Sequence, residues 1–183
     1  MHVEPLRATD RERVSDILAA TAVFADEEIA VALELFDDVY GIAAVGTRRE
    51  GPAFAFPASA NADYEFVGAR DDDGQLLGYA CFGPTPSTDG AYDMYWLAVH
   101  PAAQGRGAGQ QLVHWVEAVL ARRGARLLVV ETSSRTSYDR TREFYARAGY
   151  VEAARVRDFY APADDRIIYT TRLTAPEVGA ATP

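Results

Sequence analysis

VHPAAQGRGAG, residues 99–109, sets Gly105, Gly107 and Gly109 at alternate positions with Gln104 and Arg106 among them. The apolar run YWLAV (95–99) comes just before, and the helical pattern QQLVHWVEAVL (110–120) just after. A strand that enters a helix through glycines leaves the first N–H groups of the helix bare. Those donors, with the positive end of the helix dipole, attract an anion. Without Cβ atoms the backbone can be approached closely, and a guanidinium such as Arg106 adds charge and a fork of donors. The stretch reads either as a pyrophosphate cradle or as a glycine-rich turn with no ligand. Neither common nucleotide motif fits. A P-loop needs Gly-Lys-Ser/Thr, and every basic residue here is Arg; a dinucleotide fingerprint needs glycine where Gln110 stands.

Outward from this stretch, residues 3–7 read as a first strand, and Thr9-Asp10 as the N-cap of a helix with Val14, Ile17, Leu18 and Ala22 on its stripe. DEEIAVALELFDDVY (26–40) is a second helix, with Ile29, Leu33 and Phe36 inward. Residues 41–62, rich in Ala, Gly and Pro, read as a loop, either a lid that closes Phe54 and Phe56 over the acceptor or a disordered stretch. YEFVGAR, the turn DDDGQ and LLGYACFG form a hairpin, and AYDMYWLAV follows as a strand. The helix over 107–123 buries Leu112, Val113, Val116, Val119 and Leu120 and stops at Gly124. RLLVVETS (126–133) is a continuous apolar run, as expected of a strand covered on both faces. A helix over 138–148 ends at Gly149, and YVEAARVRDFY and RIIYTTRL close the chain as strands. The order is strand, two helices, three strands, helix, strand, helix, two strands: an α/β chain built on a mixed sheet. Residues 1–173 form one domain, with 9–40 as its N-terminal helices, and 174–183 a flexible tail.

A net charge of −9 argues against a nucleic-acid partner and suits a cationic substrate better. One cysteine and three scattered histidines leave no disulfide framework and no metal-ligand spacing. No apolar run approaches a membrane span and the N-terminus lacks a signal pattern, so the expectation is a cytoplasmic protein without membrane contact.

LAVHPAAQGRGAGQQL (97–112) resembles the acetyl-CoA-binding motif of the GCN5-related N-acetyltransferases: a strand ending Val-x-Pro, then Gln/Arg-x-x-Gly-x-Gly/Ala. TREFYARAGY (141–150) resembles the later helix of that family, which ends Phe-Tyr-x-x-x-Gly-Phe/Tyr. The two stand in the family's order, and the resemblance runs over 64–173. It implies a twisted, mostly antiparallel sheet of seven strands flanked by four helices. It also implies an acyltransferase that moves an acetyl group from acetyl-CoA to a primary amine, on a small molecule or a peptide N-terminus, in a ternary complex without metal. Family habit implies a homodimer.

Carried over to these residues, the pantetheine arm pairs with the strand at Leu97, Ala98 and Val99, where an N–H polarises the thioester carbonyl. The pyrophosphate lies on Gln104, Gly105, Arg106, Gly107, Ala108 and Gly109. Tyr145 becomes the acid that protonates the leaving thiolate, against a reading as a core aromatic, the part given to Phe144. Asp93 is the first candidate for the base; strand alternation sets it on the face of Tyr95, Leu97 and Val99, and the competing reading is a solvated charge. Glu131 is the reserve base. Where the family often carries an Asn, this chain has Tyr138; it shares a helix face with Thr141 and Tyr145, and the cofactor contact falls to that hydroxyl or to Ser137 or Arg140. The departure keeps open a second reading, a non-catalytic acyl-CoA-binding regulatory domain. His100 reads as a loop residue, Cys81 as core, and Ser133-Ser134 near Asp139 lacks the histidine of a hydrolase. Asp26, Glu27, Glu28, Glu34, Asp37 and Asp38 read as an acidic acceptor mouth or a solvated helix face.

Overall fold

The hairpin signal folds as its turn chemistry dictates. β2 (Glu65–Arg70) pairs antiparallel with β3 (Leu76–Pro84), and the Asp71 carboxylate accepts from the amides of Asp73 (3.1 Å) and Gln75 (2.8 Å). The other strands are β1 (His2–Pro5), β4 (Ala91–Val99), β5 (Leu127–Ser133), β6 (Val151–Ala161) and β7 (Asp164–Arg172). They form one seven-stranded sheet in the order β1-β2-β3-β4-β5-β7-β6. Among the described strands only β4 and β5 run parallel, joined by α3 (Ala108–Arg122), as a parallel pair requires a crossover. α1 (Arg11–Thr21), α2 (Asp26–Tyr40) and α4 (Asp139–Arg147) complete the architecture. The computed structural model describes residues 1–42 and 64–174, so most of the expected 41–62 loop, with Phe54 and Phe56, and the tail past Thr174 lie outside the described residues.

Two apolar layers sandwich the sheet. α3 lays its predicted stripe, Leu112, Val113, Val116 and Leu120, against Val67, Ala80, Leu128 and Val130. On the other face, Val14, Ile17 and Leu18 of α1 and Phe36 of α2 pack with Phe66, Tyr79, Cys81 and Trp96.

The structure departs from the sequence expectation at three places. A short 3-10 turn, Ala8–Asp10, precedes α1, and the Asp10 carboxylate accepts from the Arg7 amide (2.8 Å) and pairs with Arg70 instead of capping α1. Ala22 leaves the stripe because it ends α1 in the left-handed region at φ 52°. β5 is fully buried on one face and only partly on the other: Leu128, Val130 and Thr132 are covered, whereas Leu127 and Val129 are half-buried, Glu131 is exposed and Ser133 alone of that face is buried. The reason lies in the placing of α1, which packs over β3 and β4 on that side.

Arg70 ties the first turn of the chain to the sheet. Its guanidinium donates to Glu4 (2.7 Å), to both Asp10 oxygens (2.8 and 2.7 Å) and to the Gly74 carbonyl (3.2 Å), with the Arg70 and Asp10 side chains each 12% exposed. Removing one member of such a group leaves buried charge without a partner. Arg70→Ala should therefore lower unfolding stability by about 2 kcal/mol, read from the urea midpoint at unchanged slope.

Candidate active site

The parallel β4–β5 pairing runs only from Ala91 opposite Leu127 to Met94 opposite Val130. Past that point β4 stays on β3 as far as Val99, while β5 continues on β7, with Glu131 opposite Ile168 and Ser133 opposite Arg166. The two strands part, and a cleft opens between them. A bulge in β4 marks the parting: Trp96 faces Cys81 and Met94 faces Phe82, so Tyr95 is the extra residue between them. Bulges bend the strand that carries them. The cleft is lined by Met94, Tyr95, Leu97, Ala98 and Val99 of β4, by Val130, Glu131 and Thr132 of β5, by Tyr138, Thr141 and Tyr145, and by Thr21, Val23 and Phe24 at the end of α1.

The glycine stretch lies at the near end of β4. Gly105 (φ 74°) and Gly107 (φ 88°) both need the left-handed region, and Gly107 is the N-cap of α3. Gly109 has no such need, and a methyl there would only touch Phe144 and Val99 at ordinary distance. The Gln111 amide donates to the Gly107 carbonyl at 3.0 Å, and no side chain caps the helix. Among the described residues, the amides of Ala108, Gly109 and Gln110 thus have no protein acceptor. Arg106 is exposed and makes no ion pair among the described residues. Gln104 is used differently: its side-chain amide donates to the Val99 carbonyl (3.2 Å), tying loop to strand.

Tyr145 lies at the floor of the cleft, 3% exposed, with its hydroxyl 4.0 Å from the Met94 sulfur. Tyr150 and Tyr169 pack against its ring, and burial pushes its ionisation well above a tyrosine's ordinary range. Tyr138 is not on the helix that carries Tyr145. It ends a separate 3-10 turn, Thr136–Tyr138, because α4 starts at Asp139, yet it still meets Thr141 and Tyr145 at the cleft wall. Burial, then the charge of Glu28, pushes the Tyr138 hydroxyl up to about 12. Ser137 and Arg140 are exposed and outside the cleft lining.

The bulge also corrects the placing of Asp93. It shares a face with Tyr95 but not with Leu97 and Val99: those two pack on the α3 side with Met94, the residue next to Asp93, whereas Tyr95 packs on the α1 side. One extra residue resets the alternation. The Asp93 carboxylate accepts from Thr85 Oγ1 (2.6 Å). Burial raises its pKa, while the Thr85 hydrogen bond and the Arg166 charge oppose the rise. Asp93 is absent from the cleft lining, and Glu131 is part of it. Glu131 pairs with the Arg166 guanidinium, which lies 4.9 Å over the Phe159 ring.

Other candidates take structural parts. His100 Nδ1 accepts from the Ala102 amide (3.2 Å), Cys81 is fully buried, and Ser133 donates to Asp164 rather than meeting Asp139. Asp37 pairs with Arg11 (2.5 Å), and Glu28 accepts from the Ala25 amide (2.7 Å). Sequence reasoning missed Met94, Phe24, Arg166 and Thr132. The Thr132 hydroxyl is buried and unpartnered beside the cleft. The only local hint was a polar residue inside an apolar strand. Among the described residues no cluster of His, Cys, Asp and Glu could hold a metal, and no helix is long and apolar enough to cross a membrane.

The acetyltransferase (GNAT) domain family model matches residues 62–152, which hold both the glycine stretch and Tyr145. A crystal structure of a Desulfovibrio desulfuricans protein described as a GNAT-family acetyltransferase is 36% identical, with 94% of this chain and 99% of that one covered and a TM-score of 0.80. At lower identity the likeness is one of fold. The ribosomal-protein-S18-alanine N-acetyltransferase of Escherichia coli is 17% identical (TM-score 0.69, 99% of each chain). An aminoglycoside 6'-N-acetyltransferase solved with coenzyme A is 16% identical (TM-score 0.68, 96% of this chain and 99% of that one). The search of curated proteins found no match. With the splayed β4–β5 pair, the uncapped α3 and a relative matched along almost its whole length, this chain belongs to the GNAT acetyltransferase family.

Proposed function

We propose that the protein transfers an acetyl group from acetyl-CoA to a primary amine, on a small molecule or a peptide N-terminus, by direct attack with both substrates in the cleft. One observation carries the reading: an open β4 edge leads into an uncapped helix N-terminus and passes over a buried tyrosine hydroxyl.

Acetyl-CoA supplies the acetyl group as a thioester. The residues fit its two ends. The free amides of Ala108, Gly109 and Gln110, with Arg106 beside them, suit a diphosphate. The unpaired side of β4 around Leu97, Ala98 and Val99 suits an amide-bearing arm, and the orphaned Thr132 hydroxyl offers a further partner to it. A backbone N–H near Leu97 or Ala98 polarises the thioester carbonyl. Glu131, the carboxylate at the cleft, takes the amine's proton directly or through one water, since reach comes before basicity in choosing a base. Asp93, outside the cleft lining, feels the charge of the same Arg166. Tyr145 keeps its proton at neutral pH and gives it to the departing sulfur.

A second reading, an acyl-CoA-binding regulatory domain, draws on the engagement of Glu131 by Arg166 and on Tyr138 in the family's Asn position. Thiol release from acetyl-CoA across a panel of amines tests the two. Turnover with at least one amine is expected; coenzyme A binding without turnover on any of them favours the regulatory reading. Arg106→Ala should weaken coenzyme A binding about tenfold, with a flatter salt dependence and kcat at saturation little changed. Calorimetry at two ionic strengths checks this.

A further inference from the structure

Arg166 stands diagonally across from Glu131 on neighbouring strands. Ser133 lies opposite Arg166 and Glu131 opposite Ile168, so strand alternation turns all four side chains to one face of the sheet. Arg166 Nη2 donates to Glu131 Oε1, and among the described residues Glu131 Oε2 has no hydrogen-bond partner. The guanidinium lies 4.9 Å over the Phe159 ring. A bulge supplies that ring. β6 takes five steps from Val156 to Ala161 while β7 takes two from Arg166 to Asp164. The slack is pinned at Asp158 (φ 50°), whose amide donates to Asp165 (3.1 Å) and whose carboxylate accepts from the Ala163 amide (2.6 Å). Phe159 is the next residue.

Stability gives little reason for this arrangement. The Arg166–Glu131 pair is partly exposed, and such pairs contribute little. Arg166 Nε is buried without an acceptor among the described residues, and a stranded N–H costs more than such a pair returns. What the arrangement does supply is orientation. A glutamate at an open cleft has several rotamers, and a guanidinium braced on a ring selects one of them, with Oε1 held and Oε2 left for an incoming amine. On the reading that Glu131 takes the amine's proton, we propose that Arg166, braced by Phe159, is a positioning residue that aims Glu131 at the acceptor. The charge of Arg166 also reaches Asp93, but that carboxylate is held by the Thr85 hydroxyl at 2.6 Å and lies outside the cleft lining.

Double-mutant cycles on the full chain test this, with thiol release from acetyl-CoA measured on an amine that the wild type turns over. Arg166→Gln should lower kcat about tenfold and leave the KM for acetyl-CoA within about twofold. Arg166→Lys, which keeps the charge and loses the flat face, should recover part of the loss. Phe159→Leu should cost about threefold; Phe159 is 46% exposed, so this variant keeps the test alive if Arg166→Gln does not fold. In the Glu131→Gln background each substitution should cost less than about twofold, because the base they aim is already gone. Losses that multiply with Glu131→Gln overturn the positioning role. So do losses that vanish in the Asp93→Asn background instead, or an Arg166→Gln rate equal to wild type. A wild type that turns over no amine overturns the acetyl-transfer reading as well, whereas turnover with multiplying losses overturns the positioning role alone.

Discussion

Tyr145→Phe should lower kcat about a hundredfold while leaving coenzyme A affinity nearly unchanged. Among the described residues the hydroxyl has only the Met94 sulfur at 4.0 Å as a partner, so its loss costs the folded state little. The ring remains packed between Phe144, Tyr150 and Tyr169, and the shape of the cleft floor is kept. What disappears is a proton held at the fork. The pH profile carries a second check. An acid must be protonated to act, and burial holds this phenol well above a tyrosine's ordinary 10. Activity should therefore rise with pH as the acceptor amine loses its proton, and should show no alkaline fall from Tyr145 up to about pH 10. A rate for the Phe variant equal to wild type would remove Tyr145 from the chemistry.

Glu131→Gln should reduce kcat by about two orders of magnitude with a smaller change in the KM for acetyl-CoA. The amide keeps the volume and a hydrogen-bond acceptor for Arg166 but cannot accept a proton. Asp93→Asn should cost severalfold only, because that carboxylate lies outside the cleft lining and is held by the Thr85 hydroxyl. The two variants decide between the candidates. If Asp93→Asn shows the larger loss, the base is Asp93. Its raised pKa would then put the acid limb of the profile above the ordinary aspartate value of 3.8, activity falling as pH drops through it. Steady-state kinetics of both variants over the same pH range reads the outcome.

Much of the site was legible along the chain because its signals are local. Two glycines at positive φ and a helix start are separated by a few bonds, and so are the phenol at Tyr145 and the Gly149 that ends its helix. The apolar stripe of α3 was legible for the same reason, since helical neighbours are set by the backbone itself. Asp93 was misplaced because strand alternation counts residues as though none were extra, and the extra residue, Tyr95, is defined only by its partner strand. β5 read as buried on both faces because its apolar run says nothing of where α1 and α2 stop.

The sequence alone therefore determined the elements, their order, the glycine turn before an uncapped helix and the phenol on the later helix, all through near-neighbour chemistry. Tertiary structure alone decided where β4 and β5 part, which carboxylate opens on the gap, and that Arg166 pairs with Glu131 from a strand far along the chain. The reason is physical: these relations depend on hydrogen-bond register between distant segments, and a shift of one residue there exchanges the two faces of a strand.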